Sequence, residues 1–381
     1  MTGTTHDFDL HGVVGVRLLG ATAADAATVG RQLGLPTTTL DRDPDVIIRF
    51  VKVATWEPLT HVGVGDAGFN RDGFFVLGAH GGDTARTRVP FDAIGRTTEL
   101  VCEQGVTGVP HLLAIMNLVA LGKGVLPLHA SAFTLGSMGV LVMGWSKGGK
   151  TEALLAAMER GADYVGDEWV YLAGDDTMLG LPEPIRIWDW HLEQLPDLRR
   201  ARTRADRTKV RAWRAVSGVA RTAAASRIAG TDLTRRVDPL ARRQAYLRIA
   251  PADLFGSARI VLRGHVDATV LVLSHATDAI TTEIAGPREL SGRMAASLAE
   301  ERTPFLSHYR QFRFAFPGLR NPVIESAEER ESALLAARFD QRPCGKVSHP
   351  HPCDISALGD AVLDAARGVA GHAQFTPQGA S

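Results

Sequence analysis

The stretch that decides the fold is Leu128–Leu172, which reads LHASAFTLGSMGVLVMGWSKGGKTEALLAAMERGADYVGDEWVYL. Within it, the apolar run Gly139–Met143 ends in the glycine-rich segment Gly144–Thr151 and passes directly into a helical pattern over Glu152–Arg160. A strand, a glycine loop and a helix in this order are the context that a P-loop needs. The stretch therefore predicts an α/β sheet domain built around a P-loop.

The residue types in the glycine loop suit a polyphosphate. Glycines let successive backbone N–H groups turn inward as a concave nest, and the N-terminus of the following helix points its unpaired N–H groups at the same place. Lys150 would add a full positive charge near the β and γ phosphates, and the Thr151 hydroxyl would bind Mg²⁺. The residues predicted to bind the nucleotide are Gly144, Trp145, Ser146, Lys147, Gly148, Gly149, Lys150, Thr151 and Glu152.

The alternative interpretation is a glycine-rich turn that fits this pattern by chance. Lysine is scarce, with six in the chain, so a chance match is rare. Because a strand pattern precedes the loop and a helical pattern follows it, nucleotide binding is the favoured hypothesis.

Length and composition set wider limits on the class of protein. A chain of 381 residues, 45% hydrophobic and 22% charged, indicates a globular protein of about two domains. The formal net charge is zero, so no overall field favours nucleic acid or a membrane surface. The sequence has no long apolar run, no leader pattern at Met1 and only three cysteines, and we therefore expect a cytoplasmic protein without a disulfide framework.

Local patterns divide the chain into three parts. Residues 1–105 show short strand patterns separated by Asp, Asn and Gly turns, and they predict a small α+β domain that is structural or binds a partner. Residues 106–340 form the predicted P-loop domain, entered through an apolar helix at Pro110–Leu121. Residues 341–381 are predicted to be a tail, in which a loose linker precedes a short helix at Ile355–Val369.

A basic insertion, predicted to be helical, occupies residues 198–248 of the P-loop domain. It holds fifteen Arg or Lys residues against three Asp, a net charge of +12. Such a run is usually a solvated face. The functional alternative is a lid or an acceptor-docking surface, in which arginines meet the phosphates of ATP or an acidic acceptor. Nucleic-acid binding is disfavoured because no aromatic interleaving or recognised motif accompanies the charge.

Two cysteines and two histidines lie close together in the tail, at Cys344, His349, His351 and Cys353. These residue types are zinc ligands, but the four fall within ten residues and lack the usual paired spacing. A linker is therefore favoured over a metal site.

Three side chains near the glycine loop are candidates for phosphoryl-transfer chemistry, namely His129, Asp167 and Glu168. Such transfer needs an aligned acceptor, cations on the γ-phosphate and a carboxylate or imidazole that accepts the acceptor's proton. The pattern over Tyr164–Leu172 predicts one continuous strand, so the two adjacent acids should face opposite ways and only one should point at the γ-phosphate. In the alternative interpretation, His129 is a hydrogen-bonded core histidine, and Asp167 and Glu168 are an acidic pair in a turn or on the surface.

Residues 129–172 resemble the P-loop domain of the HPr kinase/phosphorylase family. That family shows a histidine-bearing strand, a glycine turn, a strand, a GKS/T-E loop, a helix ending in Arg-Gly and a Val-Ala-Asp-Asp element. The counterparts, with spacings kept without a gap, are His129, Gly139–Val142, Gly149–Glu152, Arg160-Gly161 and Val165–Glu168. The family includes related tailoring kinases for peptide natural products, so the resemblance does not imply a particular carrier protein as acceptor.

The resemblance implies roles for individual residues. Lys150 matches the phosphate-binding lysine, Thr151 the magnesium hydroxyl and His129 the active-site histidine. Glu168 falls on the family's general-base aspartate, with Asp167 just before it. A Glu in place of Asp keeps the carboxylate but lengthens its reach, which suggests a different acceptor geometry.

The resemblance is weaker beyond residue 172. The family's acidic-Ile-Arg-Gly-Leu-Gly element has a partial counterpart in Glu183-Pro-Ile-Arg186, so the implied metal ligands are Thr151, Asp167 and Glu183. Neither Arg235 nor Arg236 aligns firmly with the family's downstream arginine. The N-terminal domain and the basic insertion are not explained by the resemblance.

The leading hypothesis is an ATP-dependent kinase that phosphorylates a hydroxyl group on a protein, a peptide or a small metabolite, with ATP or GTP as donor and Mg²⁺ as cofactor. Its catalytic residues would be His129, Lys150, Asp167 and Glu168. The alternative is a nucleotide-binding regulatory or scaffold protein without transfer activity. A third hypothesis makes the basic insertion a nucleic-acid site, and the oligomeric state is left open, with a homo-oligomer possible.

Overall fold

A computed structural model describes residues 5–55, 58–63, 67–76, 86–195, 246–276, 278–286 and 288–375. Two large sheets, of seven and nine strands, and the helices around them confirm the predicted α/β class. Most of the basic insertion, including Arg235 and Arg236, lies outside the described residues. Its last three residues belong to a strand rather than a helix.

The first sheet comes from the N-terminal hundred residues. Its elements are β1 (His6–Leu10), β2 (Val14–Leu19), α1 (Ala23–Leu33), β3 (Val46–Val51), β4 (Ala67–Asn70), β5 (Gly73–Val76), β6 (Thr87–Val89) and β7 (Thr98–Glu103). The strand order is β1-β2-β3-β7-β6-β5-β4. A capping box between Thr22 and Asp25 starts α1, and Gly34 in the left-handed conformation ends it.

The second sheet and its ribbon come from the remaining strands. These are β8 (Leu126–Leu135), β9 (Met138–Met143), β10 (Asp163–Gly166), β11 (Trp169–Leu172), β12 (Thr177–Gly180), β13 (Ile185–Trp188), β14 (Tyr246–Ile249), β15 (Arg263–His265), β16 (Ala268–His275), β17 (Thr281–Ile284) and β18 (Gly345–Pro350). The order is β15-β12-β11-β8-β9-β16-β18-β17, with β10 also on β8, and β13 pairs with β14 as a separate ribbon. At the centre, β9, β16 and β18 are parallel.

Helices cover both faces of the second sheet. They are α2 (Leu112–Gly122), α3 (Lys150–Glu159), α4 (Asp189–Gln194), α5 (Pro251–Phe255), α6 (Glu289–Ala315), α7 (Pro322–Glu325), α8 (Ala327–Phe339) and α9 (Ile355–Phe375). In β9, Val140 and Val142 pack in one core with α3 and α9, whereas Leu141 and Met143 pack in another with α6 and α8. A strand buried on both faces explains the unbroken apolar run before the glycine loop.

The core of the first sheet extends into later parts of the chain. Phe91, next to β6, packs against Phe305 and Phe312 of α6, and Leu112 and Ile115 of α2 belong to the same apolar cluster. Asn321 ties the two regions further, because its amide donates to the carbonyl oxygens of residues 91 and 94. The domain limits at residues 105 and 340 stay predictions.

Two local predictions are wrong. Tyr164–Leu172 is not one strand, because the chain breaks between β10 and β11 at Asp167 and Glu168, where Glu168 has a φ of 66°. The predicted linker in the tail contains β18, a strand with alternating burial that pairs in parallel with β16. Because β18 lies between β16 and β17, it is paired on both sides, and Pro350 ends the strand rather than interrupting it.

Among the four tail residues considered as zinc ligands, the two cysteines lie on opposite faces of the second sheet. Cys344 packs in the core beneath α6 and α8, and Cys353 packs on the opposite side with α3 and α9. Both are buried free thiols. In the described parts of the chain, no group of three or more His, Cys, Asp or Glu side chains is arranged to hold a metal.

Among the helices that the structure describes, none combines the length and the apolar character needed to cross a membrane. The prediction of a cytoplasmic location is not tested by this finding.

His111 should make the fold acid-sensitive. Its ring lies against Phe305, its Nε2 is 2.9 Å from Nδ1 of His308, and burial, reinforced by the neighbouring histidine, lowers its pKa to about 4. Because the folded state disfavours the protonated ring, this contribution to stability is complete above the unfolded pKa of about 6.5 and is lost as the pH falls toward 4. Between pH 7.5 and 5.0 we expect His111 to account for a loss of about 2 kcal/mol.

Urea unfolding of the protein and its His111→Asn variant at these two pH values measures the effect. Asparagine tolerates the left-handed φ of 57° at this position and does not titrate. The His111→Asn variant should lose less stability on acidification than the parent. The control His265→Asn, at an exposed histidine, should lose as much stability as the parent. Equal losses in the parent and in His111→Asn would contradict the assignment.

Candidate active site

The glycine loop joins the end of β9 to the start of α3. Lys150 is the first residue of α3, and the first backbone bond of that helix runs from the N–H of Ala153 to the carbonyl oxygen of Gly149. The N–H groups of the preceding helical residues therefore have no acceptor within the helix. The Nζ atom of Lys150 points back into the loop, 2.8 Å from the carbonyl oxygen of Trp145 and 3.2 Å from that of Gly144.

Lys150 is almost completely buried. Burial lowers its pKa, while the carboxylates of Glu168 and Asp167 oppose this shift. A cation that is buried and surrounded by acids, without a direct ion pair to any of them within the described residues, is suited to an anionic ligand.

The loop conformation requires glycine at two positions. A Cβ on Gly144 would come within 2.4 Å of the carbonyl oxygen of Val272 on the neighbouring strand β16. Gly149 has a φ of 104°, and a Cβ there would lie 2.5 Å from Nε2 of His349. These glycines allow the backbone of the loop to approach the sheet closely.

His349 supports the loop from β18. Its side chain is buried, and its Nε2 lies 2.8 Å from the carbonyl oxygen of Gly148. This contact joins two segments that are 201 residues apart. The sequence had offered His349 only as a possible zinc ligand, whereas the structure places it as a support of the glycine loop.

Replacing Gly149 with alanine should disturb the loop more than the fold. The added Cβ would combine a strained φ with a clash against His349, and we expect a loss of about 2–4 kcal/mol in stability together with weaker nucleotide binding. Gly161→Ala is the matched control, because Gly161 has a φ of 90° but open space around it. The control should cost about 1 kcal/mol in urea unfolding and leave binding unchanged; equal effects of both changes would contradict a specific role for Gly149.

Thr151 and Asp167 meet beside the loop. The Oγ1 atom of Thr151 lies 3.0 Å and 3.3 Å from the two carboxylate oxygens of Asp167. Asp167 is buried, and burial together with the charge of Glu168 raises its pKa. A hydroxyl and a carboxylate at this distance are hard oxygen donors of the kind that Mg²⁺ prefers.

The break between β10 and β11 turns both acids toward the site. The N–H of Trp169 donates to the carbonyl oxygen of Asp167, and Glu168 adopts a left-handed backbone conformation. In a continuous strand, neighbouring side chains would point to opposite faces. Here Asp167 reaches Thr151 while Glu168 reaches His129 on β8. A non-glycine residue with positive φ is strained, and such strain often occurs at functional sites.

His129 lies between two carboxylates. Its Nε2 is 3.1 Å from Oε2 of Glu168, and its Nδ1 is 2.8 Å from Oε1 of Glu301 on α6. The second contact is at ion-pair distance but does not have the direction of a hydrogen bond. Although burial disfavours the imidazolium, the two glutamates outweigh it and raise the pKa of His129.

Glu168 is held in its ionised form. Burial alone would raise its pKa, but the hydrogen bond from His129 and the charge of Arg186 lower it below the usual range. Nη1 of Arg186, on β13, is 3.8 Å from Oε1 of Glu168. The two adjacent acids thus differ, with Asp167 prone to protonation and Glu168 charged.

Glu183 precedes β13 near the same site. Burial and the charge of Glu168 raise its pKa to about 8. Its Oε1 atom is buried and has no hydrogen-bond partner within the described residues. The structure does not bring Glu183 into hydrogen-bond contact with Thr151 or Asp167, so its role as a metal ligand stays a prediction.

Glu152, which follows Thr151 on α3, points away from the loop. Its Oε1 is 3.1 Å from Nε2 of His191 on α4, and the N–H of Trp188 donates to Nδ1 of the same ring. Burial would raise the pKa of Glu152, but the hydrogen bond between Glu152 and His191 lowers it below its usual value. Glu152 therefore anchors α4 to α3, and its predicted contact with nucleotide is not tested.

Among the predicted residues, the structure brings His129, Lys150, Thr151, Asp167 and Glu168 into one cluster at the end of β9. The remaining loop residues, Trp145, Ser146 and Lys147, lie on its exposed side. Sequence reasoning missed Glu301 and His191, and it considered His349 only as a possible zinc ligand. All three are distant from the glycine loop in the chain. Glu301 lies within α6, and no local sequence motif marks it.

Comparison with known proteins adds little to this geometry. No protein-family model and no curated protein matches the sequence. Among solved structures, the chain is similar to the Hpr(Ser) kinase/phosphatase from Coxiella burnetii, with 12% identity, 63% of this chain and 95% of that chain covered, and a TM-score of 0.22. At that TM-score the likeness does not define the fold, so the sheets and the site alone define the class: an α/β protein with a glycine loop at a helix N-terminus.

Proposed function

We propose that this protein is an ATP- or GTP-dependent kinase that transfers the γ-phosphate to a hydroxyl group of its acceptor. The observation that carries the proposal is the convergence of Lys150, Thr151, Asp167, Glu168 and His129 on the glycine loop at the N-terminus of α3. Phosphoryl transfer depends mainly on positioning and charge stabilisation, and these side chains are of the types that supply both.

The nucleotide would bind through its phosphates. Backbone N–H groups of residues 144–151 and the N-terminus of α3 would hold the phosphate oxygens, as expected for a loop of this shape. Lys150 would exchange its contacts with the loop carbonyl oxygens for the β and γ phosphates. This exchange relieves the cost of a buried cation that has no direct carboxylate partner.

Mg²⁺ fits the donor set beside the loop. Thr151 Oγ1 and the Asp167 carboxylate are adjacent, and a bound cation would oppose the rise in the pKa of Asp167 that burial and Glu168 cause. With one hydroxyl and one carboxylate from the protein, most remaining positions would be filled by phosphate oxygens and water, as is usual for this ion. When bound, Mg²⁺ would neutralise part of the phosphate charge, and Glu183 is the candidate for a further contact.

Glu168 would act as the base in the transfer step. The acceptor oxygen forms a bond to the γ-phosphorus, the bond from that phosphorus to the β–γ bridging oxygen breaks, and the hydroxyl proton passes to the Glu168 carboxylate. The products are the nucleoside diphosphate and a phosphate ester of the acceptor. A low pKa makes Glu168 a weak base, which is compatible with a loose transition state in which orientation matters more than basicity.

His129 and Glu301 would position this base. The histidine holds Glu168 by a hydrogen bond, and Glu301 favours the charged imidazolium on its other side. The positive charge of His129 would also lie near the phosphate that is transferred. Glu301→Gln should therefore lower turnover by about 10-fold and leave nucleotide affinity unchanged. Glu300→Gln, at the exposed neighbouring position, is the control, and equal turnover of both variants would contradict this role.

The test of the function is transfer itself. The protein is incubated with γ-labelled ATP or GTP, Mg²⁺ and a panel of hydroxyl acceptors that includes serine peptides and small polyols. Labelled acceptor in the presence of Mg²⁺, and none without it, is the expected result. Tight nucleotide binding without any labelled product in the presence of cell extract would favour a regulatory nucleotide-binding protein instead.

A further inference from the structure

The ribbon of β13 and β14 presents a face of two arginines and two aromatic rings. In both strands, alternate residues are buried in the core with α3 and α9, namely Ile185, Ile187, Leu247 and Ile249. The opposite face, which we call the ribbon face, consists of Arg186 and Trp188 on β13 and Tyr246 and Arg248 on β14. The register pairs Arg186 with Arg248 and Trp188 with Tyr246.

The four side chains of the ribbon face form a connected surface. The guanidinium carbons of Arg186 and Arg248 lie 6.0 Å and 5.9 Å from the centre of the Tyr246 ring. The rings of Trp188 and Tyr246 are 5.1 Å apart. Both arginines are exposed, so their charged ends are available to a ligand while the aromatic rings fix their direction.

The ribbon face carries two positive charges directly opposite each other. Like charges placed directly opposite each other on an antiparallel pair are destabilising. Among the described residues, Arg186 has one carboxylate at ion-pair distance, that of Glu168 at 3.8 Å, and the charges of both arginines also act on Glu183. For Arg248, no carboxylate of the described residues lies within ion-pair distance. Two exposed guanidinium groups therefore lie on one small face, with a single carboxylate at ion-pair distance among the described residues.

We propose that the ribbon face binds an acidic segment of a polypeptide acceptor beside the hydroxyl that is phosphorylated. The proposal rests on the proposed kinase function, because it assigns the acceptor class of that site. The basic residues that follow α4 lie outside the described residues, and the ribbon face is defined without them.

The distance from the ribbon face to the site sets the position of the acidic residues. Arg186 contacts Glu168, the base that would receive the acceptor's proton. An extended chain advances by about 3.3–3.6 Å per residue, so a carboxylate on Arg186 or Arg248 belongs to a residue about one to three positions from the acceptor serine. Arginine binds carboxylates with two parallel hydrogen bonds, which orients the peptide as well as attracting it.

The surroundings favour a polypeptide over a nucleic acid. Glu168 lies at the inner end of the ribbon face, in contact with Arg186, and it is ionised. Its charge would repel a run of phosphodiesters, whereas a peptide can carry its acids at positions away from it.

Peptide binding without nucleotide tests the proposal independently of catalysis. Two fluorescein-labelled heptapeptides with one central serine, Gly-Glu-Glu-Ser-Glu-Glu-Gly and its counterpart with Gln for each Glu, are titrated with the full chain and followed by anisotropy. The Glu peptide should bind at least about 10-fold more tightly than the Gln peptide. Arg248→Gln should remove most of this difference, and Arg71→Gln, at an exposed arginine in the β4–β5 turn, should preserve it.

A charge reversal makes the test specific. The Arg248→Glu variant should no longer bind the Glu peptide, and it should gain affinity for a peptide with Lys at the four Glu positions. Equal binding of the Glu and Gln peptides, or no binding of either, would overturn the proposal. A fall in the MgATP affinity of Arg248→Gln would also overturn it, because the ribbon would then belong to the nucleotide site. Displacement of the Glu peptide by a 20-nucleotide poly(U) strand that binds more tightly would overturn it as well. If the peptides bind as expected but no acceptor is labelled, the kinase function fails while the acidic-peptide site stands.

Discussion

Lys150→Ala should reduce MgATP affinity by about 100-fold or more. The Nζ atom of Lys150 is the one full positive charge directed into the glycine loop by a side chain of α3, and it is buried. At low local dielectric a direct contact between this cation and the phosphates contributes more than it would in water. Alanine removes the contact and leaves the charges of Asp167 and Glu168 facing the phosphates without compensation.

Isothermal titration calorimetry with ATP and Mg²⁺ measures this loss. Lys52→Ala is the control, because Lys52 is an exposed lysine at the end of β3 in the other sheet. Urea unfolding of both variants separates a binding defect from a loss of fold, since removal of Lys150 also changes a buried cluster of charges. A Lys150→Ala protein that is folded and binds MgATP as the parent does would show that the loop is not a phosphate site.

Glu168→Gln should lower turnover by about 100-fold or more while nucleotide affinity stays within about twofold. Glutamine has the shape of glutamate, so it can keep a contact with His129, but it cannot accept the acceptor's proton. The carboxylate is charged in the folded protein because His129 and Arg186 stabilise it. The effect should therefore appear in the chemical step and not in nucleotide binding.

Single-turnover transfer measures the rate of the chemical step, and calorimetry on the same preparations measures nucleotide affinity. Glu300→Gln changes the same type of side chain at an exposed position and should leave both unchanged. Asp167→Asn should instead weaken the dependence on Mg²⁺, because Asp167 is the carboxylate beside Thr151. Full turnover in Glu168→Gln would show that another group, or none, accepts the proton.

The sequence predicted the centre of the fold well. One local pattern predicts the strand β9, the glycine loop and α3. A strand buried on both faces is continuously apolar, and the residues that follow the loop have the spacing of a helix. The helix at Pro110–Leu121 was also predicted within about two residues, as α2. These elements depend on local residues more than on distant partners.

Predictions failed where distant contacts decide the local structure. β18 lies among prolines and histidines, and it is a strand because β16 supplies parallel hydrogen bonds from 75 residues away in the chain. The break at Asp167 and Glu168 has no glycine or proline at the turning residue, so a strand pattern was the natural prediction. The left-handed conformation of Glu168 is sustained by contacts with His129 and Arg186, which no local pattern contains.

The same division applies to the candidate site. Lys150 and Thr151 follow from the loop motif, and His129, Asp167 and Glu168 follow from spacing and resemblance. Glu301 and His349 come from α6 and β18, and only the packing of those elements brings them to His129 and to the loop. Sequence reasoning therefore did not predict the residues that position the site, but it did predict the residues that would bind the nucleotide.

The most direct measurement is a crystal structure with Mg²⁺ and a non-hydrolysable ATP analogue. The account predicts a triphosphate wrapped by residues 144–151, its γ-phosphate in contact with Lys150 Nζ, its metal beside Thr151 and Asp167, and Glu168 facing the γ-phosphorus across the space left for the acceptor. A nucleotide bound elsewhere, or a triphosphate in the loop with both acids turned away from it, would contradict the account.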